Sequence, residues 1–364
     1  MNTASDFLIS LEDIEKGGFR FSSGRRATLI ATAYSVLGLE FSGTLANWPA
    51  EKRSRISRFI LSGLAANGFF HDPLFREEDI LSREHDLRYF EEETSSFCLQ
   101  ALDALDAEIL PLNIPEEFKD PQKLVFYLKS LPWKNPWLDS NRVMFALSRL
   151  CYEAEKNGKK ELLHAVDQVL DWLDTRQNQK TGLWHGQYNA EISHAMAAAV
   201  HFAFFYSYRL RRIHCTERII DSCLSLQSAQ GLFGGVVVGH TCFDYDAVHL
   251  LSLMKRTCDY RKNDVKKAMS RAASAIRTLQ NSDGGFADAK VRVRKFFGKA
   301  LPLFLSKKID RDHYNNCWKE LACGSSESNA YSTWFRSMTL ALAEDAPISR
   351  YQFRRLPFLG YLPR

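Results

Sequence analysis

The sequence lacks the features that mark membrane and secreted proteins. No stretch approaches the roughly 20 apolar residues that a membrane-spanning helix needs, and the closest is the interrupted FFGKALPLFL. The first residues, MNTASDFLISLEDIEKGGF, carry acids early and have neither a basic start nor a long apolar run, which argues against a signal peptide. We therefore expect a cytoplasmic protein that is soluble or touches a membrane only at its periphery.

Cysteine pairs and a strong charge of one sign are also missing. The eight cysteines are scattered singly without a CxxC pair, so the sequence indicates neither a disulfide framework nor a thiolate zinc cluster. The net charge of +5 is mild and most basic residues alternate with acids, which is not the footprint of a nucleic-acid-binding protein. With 45% hydrophobic residues, the composition is that of an ordinary globular protein.

What the sequence does contain is a repeat. A short turn with glycine and an aromatic residue comes before an apolar helix, and a more polar amphipathic helix follows. A sixth unit, PWLDSNRVMFALSRLCYE, has Pro and Trp where the others have Gly, but it keeps the polar entry and the apolar helix. The five glycine turns are KGGFRFSSG, NGFFHDPLF, TGLWHGQYN, QGLFGGVVV and DGGFADAKV.

Six such helix pairs predict an all-α fold. Helices such as ISHAMAAAVHFAF are apolar on most sides and belong inside, whereas VKKAMSRAASAIRTLQ has apolar residues at helical spacing and belongs outside. Convincing strand alternation appears nowhere, since GGVVVG is too short and is bounded by glycine. We expect an (α/α)6 toroid that forms one domain over residues 1–364, with the glycine turns at one end and an insertion at about 288–312.

Three of the polar helices end in a shared pattern, QNQKTGLW, QSAQGLF and QNSDGGF. This pattern resembles the QW repeat of squalene-hopene cyclases, other class II terpene cyclases and the related protein prenyltransferase β subunits. Physically, the Gln amide bonds free groups at helix ends, the Gly permits a sharp exit, and the aromatic side chain packs between neighbouring units. The last unit, SESNAYSTWFRSMTLALA, is similar to the inner helices of the same superfamily.

One stretch carries the catalytic part of the resemblance. GGVVVGHTCFDYDAVHLLSL looks like the cyclase segment in which a GGW turn precedes the acid motif DxDD; the match reaches Asp244, Tyr245 and Asp246 and departs at Ala247 and Val248. The resemblance implies that Asp246 is the catalytic acid, which protonates an alkene or epoxide, and that Asp244 is its partner and raises its pKa. The alternative is that Asp244 is the N-cap of the helix that follows.

We expect neither a metal nor a cofactor. The prenyltransferase zinc site needs Asp, Cys and His, and the closest residues here are His240, Cys242 and Ser332, with His249 nearby. Two candidate ligands and a serine make a poor zinc site, because a catalytic zinc ion needs three protein ligands. His240 and Cys242 are therefore only weak metal candidates. We also expect the chain to lack the second helical domain that class II cyclases usually pair with this toroid.

The turn ends hold many polar and aromatic residues, a mixture that is also typical of a saccharide site. If these residues converge on the central cavity, they bind the substrate; taken singly, each is a solvated turn residue or a helix cap. The substrate-binding candidates are His71, Asp72, Arg88, Trp184, His185, His194, Tyr245, Asn329 and Tyr331. Further members of this rim are His85, Asp86, Asn141, Arg142, Glu191, Glu327, Tyr89, Phe90 and Tyr188.

Residues 290–308 stand apart because they contain seven basic residues, no acids and a central apolar patch. Such an insertion docks on an anionic membrane surface, closes over a cavity as a lid, or is a plain surface loop. The observations together favour a terpene-cyclase-like enzyme that cyclises an isoprenoid or other lipophilic substrate by acid initiation. The alternatives are a carbohydrate-active toroid of the glycosidase or polysaccharide lyase type and a non-catalytic binding or scaffold toroid. The expected partner is a small lipophilic or glycan molecule and not a nucleic acid.

Overall fold

The computed structural model describes residues 2–80, 86–108, 113–185, 191–233, 241–289, 313–314, 318–345 and 355–361. Helices dominate these residues. In chain order the α-helices are α1 Ala4–Ser10, α2 Leu29–Phe41, α3 Ala50–Leu61, α4 Leu87–Ala104, α5 Glu116–Lys119, α6 Pro121–Ser130, α7 Pro136–Lys156, α8 Leu163–Asp174, α9 Ile192–Tyr208, α10 Thr216–Leu226, α11 Thr241–Met254, α12 Lys262–Arg277 and α13 Ala330–Ala343.

Six of the helices form a closed inner ring. Each of α2, α4, α7, α9 and α11 packs against the next helix of this series, α11 packs against α13, and α13 returns to α2. The sequence explains their position, because these helices are apolar on most sides and every residue of α11 is buried. The alanine-rich face of α9 lets its neighbours approach closely, and thirteen of its residues are buried.

The amphipathic helices α3, α6, α8, α10 and α12 sheathe this ring. Helix α12 buries Val265, Ala268, Met269, Ala272 and Ile276, which follow the three- and four-residue spacing of a helix face, and exposes its lysines. The short helix α1 contacts both α2 and α13 and so covers the seam where the ring closes. The predicted all-α toroid is confirmed.

The glutamines of the three shared turns act as the sequence predicts. The Nε2 atom of Gln177 donates to the carbonyls of Gly182 and His214, both at 2.8 Å, which joins one turn to the next unit. The amide of Gln227 does the same with Gly231 at 2.9 Å and Ala268 at 2.7 Å. Gly182 has a φ of 72°, and a Cβ there would lie 2.7 Å from the Ile219 nitrogen, so this turn requires glycine.

The structure also contains short strands that the sequence did not predict. Strands β1 Glu12–Asp13, β2 Gly18–Arg20 and β3 Ala27–Thr28 form an antiparallel ribbon in which Phe19 pairs with Thr28. Strands β4 His313–Tyr314 and β5 Ala322–Cys323 form a second antiparallel pair. Each strand is two or three residues long, too short for an alternating pattern to reveal, and none alters the helical class.

No described helix is long and apolar enough to cross a membrane. Residues 290–308, for which we expected membrane docking, a lid or a surface loop, lie outside the described part of the chain. The organisation of residues 1–364 as one domain likewise stays a prediction.

Candidate active site

A cavity of about 30 Å³ lies at the centre of the inner ring. Helices α4, α7, α11 and α13 each contribute side chains spaced four residues apart, so one face of every helix points at the same space. Helix α9 and the segment after α13 complete the lining. The lining residues are Tyr89, Glu93, Phe97, Trp137, Asn141, Met144, Phe145, His201, Cys242, Asp246, Tyr331, Phe335 and Leu359.

Asp246 is the most unusual group of this cavity. Its side chain is fully buried, and neither carboxyl oxygen has a hydrogen-bond partner among the described residues. Burial raises the pKa of Asp246 well above its usual range, and the nearby charge of Asp244 raises it further. Burial among aromatic rings without a hydrogen-bond donor thus favours the protonated form of Asp246.

Asp244 lies two residues earlier on α11 and has a different environment. One of its carboxyl oxygens accepts a hydrogen bond from the Phe233 amide at 2.6 Å, and the other is ion-paired with the buried guanidinium of Arg336. Burial raises the pKa of Asp244, and Arg336 and the Phe233 amide oppose that rise. Two donors on one carboxyl group favour the carboxylate. Asp244 is thus the carboxyl group held by donors, and Asp246 is the one that has none among the described residues.

The alternative assignment of Asp244 as an N-cap is wrong. Helix α11 begins at Thr241, so Asp244 lies inside its first turn, and its side chain points to Phe233 and Arg336. The residues TCFD fit the capping pattern in which Thr is followed three residues later by an acid, but Thr241 is already the first residue of α11. The amide of Thr241 instead donates to Asp288 at 2.9 Å, a residue from beyond α12.

Glu93 is a second buried acid of the cavity, and sequence reasoning missed it. Burial alone raises its pKa to about 8, and its Oε2 atom has no hydrogen-bond partner among the described residues. The sequence EHDLRYFEEET looks like a polar turn, but α4 already begins at Leu87. Within that helix Tyr89, Glu93 and Phe97 share one face at four-residue spacing, and this periodicity is the signal that could have identified Glu93.

Most other polar groups of the cavity are paired with each other. The amide of Asn141 donates to the Tyr89 hydroxyl at 2.9 Å, and the Ser140 hydroxyl lies 2.9 Å from Nδ1 of His201. Burial lowers the pKa of His201 to about 3, so its imidazole is neutral. These contacts leave the carboxyl groups as the reactive groups of the cavity.

Of the predicted site residues, the structure brings Asp246, Tyr331 and Cys242 to the cavity. The Tyr331 hydroxyl and the Cys242 thiol form a hydrogen bond. His194 lies behind the cavity wall, where its ring stacks on Trp137 at 6.2 Å. Tyr245 points away from Asp246, and its hydroxyl accepts a hydrogen bond from the Gly360 amide at 2.9 Å.

The remaining substrate-binding candidates have structural contacts outside the cavity. Asp72 accepts from the amide of Leu29, the first residue of α2, at 2.6 Å, and Asn329 accepts from the Ser332 amide at 2.7 Å and caps α13. Trp184 donates to the Leu173 carbonyl at 2.9 Å. These side chains are turn residues whose polar atoms satisfy free backbone groups, so their placement at turn ends does not make them converge.

The other three candidates are paired with side chains that do not line the cavity. His71 contacts Glu91 at 3.2 Å, Arg88 binds Glu92 at 2.6 Å and Glu117 at 3.0 Å, and His185 lies 3.0 Å from the Thr181 hydroxyl. Among the rim residues, Tyr89 and Asn141 line the cavity, whereas Asp86, Arg142, Glu191, Glu327 and Phe90 do not. His85, Tyr188 and His240 lie outside the described residues.

No group of three or more His, Cys, Asp or Glu side chains that could hold a metal occurs among the described residues. Cys242 lines the cavity, and its thiol is hydrogen-bonded to Tyr331.

Known proteins share this architecture. The family model described as the prenyltransferase alpha-alpha toroid domain matches residues 2–114 and 125–292, most of the chain. No curated protein matches the sequence. A solved structure of the type II terpene cyclase MstE from Scytonema, in complex with its substrate geranylgeranyl dihydroxybenzoate, superposes with a TM-score of 0.50 at 14% identity and covers 95% of this chain and 96% of that chain. A polysaccharide lyase superposes with a TM-score of 0.49 at 10% identity, covering 94% of this chain and 96% of that chain.

Proposed function

The chain belongs to the prenyltransferase alpha-alpha toroid domain family, and from this premise we propose that it is a terpene-cyclase-like enzyme with Asp246 as its acid. It protonates an isoprenoid or other lipophilic substrate and so initiates a class II type cyclisation. The observation that carries the proposal is the Asp246 side chain, a fully buried carboxyl group with no hydrogen-bond partner among the described residues, facing a cavity of aromatic rings.

Protonation of an alkene needs a carboxyl group that is neutral at pH 7 and that is not bonded to anything else. Asp246 meets both requirements, because burial and the charge of Asp244 hold its proton in place. Arg336 keeps Asp244 charged and fixed, since its guanidinium is itself fully buried against that carboxylate. The DxD part of the cyclase motif therefore suffices for an acid beside an oriented neighbour, although Ala247 and Val248 replace the residues that usually follow.

The carbocation that protonation creates needs electron density and not water. The rings of Trp137, Tyr331 and Phe335 line the cavity and supply aromatic faces for cation–π contact. Glu93 lies in the same cavity, and its ionised fraction is the base to which we assign removal of the final proton. In that scheme a proton enters from Asp246 and leaves to Glu93, and the substrate skeleton is rearranged in between.

The two buried acids also favour a second candidate, glycoside hydrolysis, in which a pair of carboxyl groups flanks the scissile bond. That mechanism requires one carboxylate to be ionised at the working pH. Burial raises the pKa of both Glu93 and Asp246, and among the described residues no lysine or arginine lines the cavity. The aromatic lining and the missing cation make the lipophilic substrate the better match.

The proposal is tested by native mass spectrometry of the purified protein with extraction of bound small molecules, together with turnover assays. The substrate panel contains prenyl alcohols, prenyl diphosphates and prenylated aromatic acids. We expect Asp246→Asn to lose at least about 100-fold in turnover while it folds normally, as is usual for loss of a general acid. Asp72→Asn is the matched control, because Asp72 is a buried aspartate that accepts from the Leu29 amide outside the cavity.

Full turnover by Asp246→Asn would refute the assignment of the acid. A retained sugar in place of a lipid would favour glycoside chemistry. An empty cavity in the wild type and in Asp246→Asn, without turnover of any substrate in the panel, would favour the non-catalytic scaffold.

A further inference from the structure

Residues 355–361, the axial segment, run through the centre of the helix ring beneath the cavity. Phe358 is fully buried, and its ring meets Phe97 of α4 edge to face at 5.1 Å. Leu359 lines the cavity itself. The Tyr361 ring contacts Tyr208, the last residue of α9, so the segment reaches the end of the ring opposite the glycine turns.

Two hydrogen bonds hold the axial segment to the inner helices. The Gly360 amide donates to the Tyr245 hydroxyl of α11 at 2.9 Å, and the Ser148 hydroxyl of α7 donates to the Pro357 carbonyl at 2.9 Å. Both partners are buried side chains of inner helices, and Tyr245 directly precedes Asp246 in the chain. The segment therefore occupies the axis of the toroid directly next to the acid.

The space left above the segment is too small for a prenyl chain. A cavity of about 30 Å³ holds one or two water molecules, whereas sites for small organic ligands have volumes on the order of 300–1,000 Å³. The inner helices cannot supply this volume, because each is packed on two neighbours in a closed ring. The axial segment is not part of any helix and can leave without breaking the ring.

The chemistry of the segment matches the ligand that would replace it. Leu359 and Phe358 present a branched aliphatic side chain and a flat apolar ring to Phe97 and the other walls of the channel. An isoprene unit is also a branched, apolar group of about the size of a leucine side chain. A prenyl chain in the channel would restore the apolar contacts that the departing segment gives up.

We propose that the prenyl chain of the substrate binds in the axial channel that residues 355–361 occupy, with its reacting double bond at Asp246, and that the segment must withdraw for the substrate to enter. This inference rests on the proposed function. The axial segment then acts as an internal competitor. The apparent affinity for substrate equals the intrinsic affinity multiplied by the fraction of molecules in which the channel is open.

The first test is hydrogen exchange at the Gly360 amide in the full chain, with and without a fully hydrogenated C15 or C20 isoprenoid alcohol, which has no double bond to protonate. In the free protein this amide is bonded to a buried hydroxyl, so its exchange is slow. We expect the alcohol to accelerate exchange at Gly360 by at least tenfold. Unchanged or slower exchange with the alcohol bound would overturn the inference.

The second test uses variants that weaken the anchors, with binding followed through the intrinsic tryptophan fluorescence, to which Trp137 in the cavity wall contributes. Tyr245→Phe and Ser148→Ala each remove one hydrogen bond to the segment and should tighten alcohol binding about two- to tenfold. A chain ended after Arg354 should bind more tightly still. Tyr206→Phe is the matched control, because this buried hydroxyl donates to Asp174 at 2.6 Å and not to the segment. Equal affinities of all four variants and the wild type would overturn the inference.

These readouts separate the inference from the proposed function. If the segment leaves when the alcohol binds but no substrate is converted, the channel assignment holds and the cyclase proposal fails. If a prenyl substrate is converted while Gly360 stays protected, the cyclase proposal holds and the channel assignment fails.

Discussion

Arg336 of α13 forms an ion pair with Asp244 of α11 in the interior of the toroid, where both side chains are closed off from solvent. A second nitrogen of the same guanidinium donates to the Asp288 carbonyl at 2.9 Å. Arg336 therefore joins the last two inner helices to the chain that follows α12. The same contact holds the charge that, together with the larger effect of burial, raises the pKa of Asp246.

Replacing Arg336 by methionine should lower the free energy of unfolding by about 3–5 kcal/mol, because the substitution leaves the Asp244 carboxylate buried without its counter-ion. Urea unfolding measures this loss. Arg209→Met is the matched control, since Arg209 forms a partly exposed ion pair with Asp167 and should cost about 1 kcal/mol or less. If Arg336→Met were no more harmful than Arg209→Met, the buried pair would not hold the site.

The contribution of Glu93 to the stability of the protein should fall as the pH rises from about 5 to about 8. Burial raises the pKa of Glu93 to about 8, so the folded protein keeps a proton there that the unfolded chain has already released. Within this window Glu93 lowers the free energy of unfolding by up to about 1.4 kcal/mol per pH unit. Asp246, whose pKa is raised for the same reason, acts in the same direction.

Glu93→Gln should therefore be more stable than the wild type near pH 8, and the two should converge near pH 4. Urea unfolding at a series of pH values gives the comparison. Glu78→Gln makes the same change at an exposed carboxylate and should leave the wild-type pH dependence in place. A Glu93→Gln protein with the wild-type slope would show that Glu93 is solvated and not buried in the cavity.

The Gln turns should contribute to stability more than an ordinary polar turn. Gln177→Ala leaves the carbonyls of Gly182 and His214 without their amide donor, and we expect a loss of about 1–3 kcal/mol. Gln179→Ala, two residues along the same turn but exposed, should change the free energy of unfolding by less than about 0.5 kcal/mol. Thermal or urea unfolding of the two variants checks the difference, and equal losses would contradict the role of the Gln amide.

The candidate site was only partly predictable. Asp244 and Asp246 were found because a short motif resembles a family, and Tyr331 because it is an aromatic residue at a turn end. Glu93 was missed because EEET looks like a solvated turn, and its burial depends on α4 starting at Leu87. Asp72 and Asn329 were assigned to the substrate because they stand at turn ends, but in the structure their carboxyl and amide oxygens accept from backbone amides in the first turns of α2 and α13.

The sequence by itself determined the helices and their arrangement in pairs. Helix α13 covers Ala330–Ala343, the segment that its periodicity predicts, and the Gln turns bond as their residue types require. These properties are local, because helical spacing, caps and turns involve residues within a few positions of each other. Tertiary structure alone decided which polar groups face the axis. The pairing of Asp244 with Arg336 spans 92 residues, and the position of residues 355–361 inside the ring depends on contacts with α4, α7 and α11. No local pattern encodes such contacts, because they exist only once the ring has closed.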